Sequence, residues 1–164
     1  MHNVYLIENI IANKERKKLV KDVQSLLLTG KELQEHFPGM EYKPGKRTLA
    51  NMHLHPDFCG VQQRIVDNIN KYTGLNLGVH KSWIVLTKGQ DEYFHIHANA
   101  DWAAVYYIRT LPFFNNGTVF KKHGFVKAPQ NSALIFPSNL EHSVPTFPFG
   151  FSRYTWGMDL TVNV

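Results

Sequence analysis

Two hydrophobic periods divide this chain. From residue 13, Leu19, Val20, Val23, Leu26 and Leu27 recur at helical spacing behind a candidate N-cap, Asn13, until Gly30 stops the run. A second helix is predicted from Pro56-Asp57, with the stripe Val61, Ile65, Ile69 and Tyr72 and with Gly74 just past its end. Between them, residues 30–56 carry Pro38, Gly39, Pro44 and Gly45. They read as a long irregular stretch with a strand near Thr48–Met52, and loops of that length in a compact domain are often functional, as lids are.

After about residue 80 the period shortens. Ser82–Leu86, Tyr93–His97, Trp102–Arg109, Thr118–Lys121, Ala133–Phe136 and Arg153–Val162 are apolar, β-branched and aromatic runs. Lys88-Gly89-Gln90, Asn115-Asn116-Gly117 and Pro137-Ser138-Asn139 punctuate them as turns. Short strands at this spacing predict a mainly β sandwich or barrel with N-terminal helices buttressing one sheet. The last run alternates: Tyr154, Trp156, Met158, Leu160 and Val162 share one face, and Arg153, Thr155, Gly157, Asp159 and Thr161 the other. The polar face is either solvated, as in an open sheet, or lines a cavity, as in a small jelly roll. Alternation alone leaves both open.

The length, 164 residues, suits one domain spanning 1–164, with residues 1–75 as helical support and loop and 76–164 as the β core. Hydrophobic residues at 43% and aromatics at 13% exclude intrinsic disorder. No apolar run approaches bilayer length, and Met1-His2-Asn3-Val4-Tyr5 does not open a secretory signal, so a cytoplasmic protein with no membrane partner is expected. A single cysteine, Cys59, rules out an internal disulfide and is expected to be a quiet thiol. The formal charge of +5 is concentrated in Lys14, Arg16, Lys17, Lys18 and Lys21 and in Lys43, Lys46 and Arg47. Such a balance fits acidic substrates or weak nucleic-acid contact, but a solvated helix face explains it more simply.

His95-Ile96-His97 carries the first chemistry. On a strand both imidazoles project from one face, close enough to share an ion, and His142 follows 45 residues later as a third candidate. His53-Leu54-His55 repeats the spacing but lies outside the β-rich half without such a partner, and is read as metal-free. Arg153, eleven residues beyond His142, opens the polar face that also holds Thr155, and a guanidinium there could grip a carboxylate bidentately. Trp83, Tyr93, Trp102 and Trp156 are candidates for the walls of a pocket, though aromatics in a β core more often simply pack.

The ordered run Phe94-His95-Ile96-His97-Ala98-Asn99-Ala100, Ala104-Val105-Tyr106-Tyr107-Ile108, Leu134-Ile135-Phe136-Pro137-Ser138, Glu141-His142-Ser143-Val144 and Arg153-Tyr154-Thr155 resembles the iron(II)/2-oxoglutarate-dependent oxygenases. Within them it is most similar to an uncharacterised bacterial and phage group related to prolyl hydroxylases. The likeness spans about residues 80–162 and implies a double-stranded β-helix, a jelly roll of the cupin kind. It also implies iron(II) on His95, His97 and His142, with 2-oxoglutarate and molecular oxygen as cosubstrates. The far carboxylate of 2-oxoglutarate would rest on Arg153, Thr155 and Tyr107. One position departs from the pattern: where the superfamily has aspartate, this chain has His97. His97 is the favoured third ligand and Asp101 the alternative; a neutral triad should bind metal more weakly and with stronger pH dependence. The implied substrate is a small molecule or peptide, with a peptidyl or free amino acid foremost. The rival function is a cupin-like metal- or ligand-binding protein without oxygenase activity, separated by whether iron and 2-oxoglutarate yield succinate. A nucleic-acid dealkylating role rests on charge alone, because no base-reading motif accompanies it.

Overall fold

The computed structural model describes residues 3–42, 45–87, 93–111, 116–145 and 151–164. The predicted turn at Lys88-Gly89-Gln90, Asn115 of the next turn, Met1 and His2, and Lys43 and Pro44 lie outside the described residues. The N-terminal part runs β1 (Tyr5–Glu8), α1 (Asn13–Asp22), a 3-10 turn (Val23–Leu26), β2 (Leu28–Thr29), α2 (Gly30–His36), β3 (Lys46–Arg47), a second 3-10 turn (Met52–Leu54) and α3 (Cys59–Thr73). Strands follow: β4 (Leu77–Thr87), β5 (Trp102–Arg109), β6 (Gly117–Phe120), β7 (Gly124–Lys127), β8 (Ser132–Pro137), β9 (His142–Ser143) and β10 (Arg153–Val162).

The strands form a seven-stranded sheet, ordered β1-β8-β5-β10-β4-β3-β2, and a three-stranded sheet, β7-β6-β9, with antiparallel pairing throughout the named strands. One face of the large sheet is covered by helices: Leu19, Val23, Ile65, Val66 and Ile69 share a core with Tyr106, Ile108, Trp156, Met158 and Leu160. Its other face meets the small sheet through Ala103, Tyr107, Leu134 and Phe136 against Phe120 and Leu140. This is the jelly roll that the resemblance implies. It also resolves the alternation in β10, whose apolar face packs under the helices while Thr155, Gly157 and Asp159 line a cavity.

Local departures from the sequence reading have local causes. The first helix ends at Asp22, and Gly30 begins a helix rather than ending one. Thr29 caps α2 reciprocally with Glu32: the Thr29 hydroxyl accepts the Glu32 N–H at 3.2 Å and the Glu32 carboxylate accepts the Thr29 N–H at 2.6 Å. In α3 the buried stripe is Gln62, Ile65, Val66 and Ile69, whereas Tyr72 is 61% exposed. The amide oxygen of the polar member, Gln62 Oε1, accepts the Ser82 hydroxyl at 3.2 Å. Gly74 ends α3 in the left-handed region, φ 73°. The strand expected near Thr48–Met52 pairs earlier, at Lys46–Arg47, although the Thr48 N–H continues to the Ile84 carbonyl at 2.9 Å. Tyr93–His97 is not a full strand: His95 alone bridges to His142, and the His97 N–H reaches the Ser138 carbonyl at 2.9 Å.

Candidate metal centre and cavity

His142 sits on β9 and exchanges both backbone hydrogen bonds with His95, at 3.0 and 3.1 Å. This pairing carries His97 to the same spot, so the nitrogens of His95, His97 and His142 fall within 4.8 Å of one another. The rings of His97 and His142 are nearly parallel, 8° apart with centroids 5.0 Å apart, and their Nε2 atoms are separated by 3.2 Å.

The hydrogen-bond partners fix the tautomers. His95 Nδ1 lies 2.8 Å from the Tyr93 carbonyl and His142 Nδ1 lies 2.8 Å from the Leu140 carbonyl. His97 Nδ1 lies 2.6 Å from the Asp159 carboxylate. Carbonyl and carboxylate oxygens only accept, so each Nδ1 carries a proton and donates, which leaves Nε2 as the lone-pair nitrogen. Burial among Phe120, Phe136 and Leu140 pushes His142 down to about 4, so at neutral pH its ring is uncharged. Two Nε2 atoms facing each other at 3.2 Å leave a gap that a bound cation or a shared proton fills. Nitrogens about 2.0–2.1 Å from one cation stand about 2.9–3.4 Å apart at octahedral to tetrahedral angles. The donor set therefore fits a first-row divalent metal.

These imidazoles open onto a cavity of about 740 Å³. Trp83, Val85, Val105 and Val144 give it apolar walls, Thr155, Gly157 and Asp159 of β10 line it, and Glu41, Tyr42, Arg47, Lys81 and Tyr93 also border it. The indole of Trp83 stacks on His97, with centroids 5.8 Å apart and planes 21° apart. Gly157 makes this possible, because it is paired with Trp83 and a Cβ there would come within 2.8 Å of the indole.

The remaining expected residues fall on the same side of the large sheet. Thr155 pairs with Tyr107 on β5, and Arg153, on the same face of β10, is fully buried. The Tyr107 hydroxyl is 2.6 Å from that of Thr118. A buried guanidinium is a bidentate donor that suits a carboxylate. Asp101 lies outside the histidine group; its carboxylate accepts the Val162 N–H at 2.8 Å. Trp83 and Tyr93 border the cavity as candidates, while Trp102 and Trp156 pack on the helix side. His53 and His55 join no cluster of potential ligands among the described residues. The carboxylate that sequence reading missed is Asp159. It stood on the polar face of the last strand, but nothing local pointed to its partner 62 residues away.

No protein-family model matches the sequence, and no curated protein is recognisably similar to it. Solved structures are similar in shape. HygX from Streptomyces hygroscopicus, with nickel and 2-oxoglutarate bound, superimposes with a TM-score of 0.71 at 10% identity, over 99% of this chain and 84% of that one. The viral collagen prolyl hydroxylase of Paramecium bursaria Chlorella virus-1 gives 0.66 at 11% identity, over 98% and 90%. SnoN, a non-haem α-ketoglutarate-dependent epimerase of nogalamycin biosynthesis, gives 0.71 at 11% identity, over 98% and 78%. The fold is that of the non-haem iron, 2-oxoglutarate-dependent oxygenases. At such identities the likeness is one of backbone architecture, and function must be argued from the site. Among the described residues no helix is long and apolar enough to cross a membrane.

Proposed function

We propose that this chain is an iron(II)- and 2-oxoglutarate-dependent oxygenase. His95, His97 and His142 hold the metal through Nε2, and Arg153, Thr155 and Tyr107 receive the far carboxylate of 2-oxoglutarate. The observation that carries this reading is the shared orientation of the three imidazoles, each with Nδ1 committed to an acceptor and Nε2 left as a donor to a cation. When bound, iron and 2-oxoglutarate supply an oxygen-derived oxidant for a substrate C–H bond, with succinate and carbon dioxide as coproducts.

The chain's own contribution is binding, orientation and exclusion of water. Among the described residues the group offers three protein donors, which leaves the rest of the coordination to small molecules. Arg153 and Asp159 share one face of β10, so the buried guanidinium and the carboxylate behind His97 lie on the same side of the sheet. Apolar side chains at Trp83, Val85, Val105 and Val144 keep that side dry. The mouth, bordered by Tyr42 and Tyr93 at 58% and 85% exposure, takes the primary substrate. A peptidyl or free amino acid is the favoured class, and a small molecule the next. Neighbours of this fold include one described as a collagen prolyl hydroxylase and one captured with hygromycin B.

The test is anaerobic titration of the iron(II)-loaded protein with 2-oxoglutarate, read by the visible metal-to-ligand charge-transfer band. The expected result is a band in the wild type that is lost in His142→Ala and weakened in Arg153→Ala. Iron binding without a band would overturn the cosubstrate assignment and leave a metal-binding protein of this fold.

A further inference from the structure

His97 occupies the position where the resembled oxygenases carry their carboxylate ligand, which leaves three neutral donors around a divalent charge. The three histidines differ in what stands behind them. Behind His95 and His142 are the backbone carbonyls of Tyr93 and Leu140, which bear no net charge. Behind His97 is the Asp159 carboxylate at 2.6 Å, and both side chains are largely shielded, 10% and 11% exposed. Low exposure leaves little water around the pair, so the interaction between carboxylate and ring is weakly screened. Two further contacts hold this geometry: the Trp83 indole lies against His97, and Gly157 leaves the room for it.

We infer that Asp159 is the carboxylate of this metal centre, placed one hydrogen bond behind His97 instead of on the cation. Resting on the metal reading above, Asp159 is a positioning residue: it fixes His97 as the Nε2 donor, sets the ring plane and strengthens that nitrogen as a ligand. Outer carboxylates of this kind typically contribute about 10–100-fold in metal affinity. Asp101, the other acidic candidate near the histidines, has a separate task as acceptor for the Val162 N–H at the end of β10.

The experiment uses the full chain, stripped of metal and titrated with cobalt(II) against a competing chelator, for wild type, Asp159→Asn, Asp159→Leu and Asp101→Asn. Asparagine keeps an oxygen to accept the His97 N–H but removes the charge, whereas leucine removes both. The expected order of affinity is wild type, then Asp159→Asn weaker by about tenfold or more, then Asp159→Leu weaker still, with Asp101→Asn within about twofold of wild type. Proton NMR of the cobalt-loaded forms gives a second readout: Asp159→Asn should move the His97 imidazole N–H resonance and leave those of His95 and His142 in place. Should Asp159→Leu fail to fold, the near-isosteric Asp159→Asn decides the matter. Equal affinity of wild type and Asp159→Asn would overturn the inference while leaving the metal centre standing. Absence of cobalt binding by the wild type would overturn both.

Discussion

Gly157→Ala puts the packing behind His97 under direct test. A Cβ at this position would lie 2.8, 2.9 and 3.0 Å from Cε2, Cζ2 and Nε1 of Trp83, whereas ordinary contact begins at 3.4 Å. The indole must therefore retreat by about 0.6 Å (3.4 − 2.8) or more, toward the cavity, where it meets the ring of His97. Overpacking of a filled site costs about 1–3 kcal/mol. Trp83 is only half-buried and can yield in part, which places the cost near the lower end, about 1–2 kcal/mol. For a chain of this size that is a fall in Tm of about 2–8 °C. Thermal unfolding of the metal-free protein reads this, and metal affinity should fall with it because the His97 ring loses its support. Trp83→Phe removes the clashing atoms, so in that background Gly157→Ala should be neutral or slightly stabilising, since alanine reduces the freedom of the unfolded chain. A Tm for Gly157→Ala within about 1 °C of wild type, or the same loss in the Trp83→Phe background, would refute the reasoning.

Three further outcomes are expected. Asn131 adopts φ 63°, donates to the Ile11 carbonyl at 2.8 Å and accepts the buried Tyr106 hydroxyl at 2.9 Å; Asn131→Ala should cost about 2–4 kcal/mol by urea unfolding, with Asn131→Gly recovering only the backbone part. Thr29→Ala breaks the reciprocal cap of α2 and should cost about 1 kcal/mol or less, with cavity and metal binding unaffected. In the metal-free protein, neutral His142 stabilises the fold fully above its ordinary 6.5, and that stability is lost as pH falls toward about 4; urea unfolding from pH 7 to 4 should show a loss of about 3 kcal/mol in wild type relative to His142→Leu.

What the sequence disclosed and what it concealed follow from the range of each signal. The alternation of β10 and the apolar run of β8 were legible because a period of two needs no knowledge of partners. The same alternation separates the tryptophans, since Trp156 shares the apolar face of its strand and Trp83 pairs with the glycine on the polar one. The histidine spacing brought His95, His97 and His142 forward as a group, and the backbone bridge from His95 to His142 is what unites them. Asp159 was concealed because its meaning lies in a hydrogen bond across the barrel, and an acidic residue on a strand's polar face carries no mark of that partner. The Thr29-to-Glu32 cap was local and available, but Gly30 read as a helix stop obscured it. In α3, Gln62 entered the buried stripe with Ser82 opposite to donate to its amide oxygen, a pairing that hydrophobic period alone does not encode.

The central claim is that three imidazoles, not two and a carboxylate, hold the metal. A crystal structure of the full chain grown anaerobically with manganese(II), an oxygen-stable stand-in for iron(II), and 2-oxoglutarate tests it, with anomalous scattering to locate the ion. The account predicts one ion bound to Nε2 of His95, His97 and His142, with the far carboxylate of 2-oxoglutarate on Arg153. An ion ligated by Asp101 or Asp159 in place of His97, or no ion at the histidines at all, would contradict it.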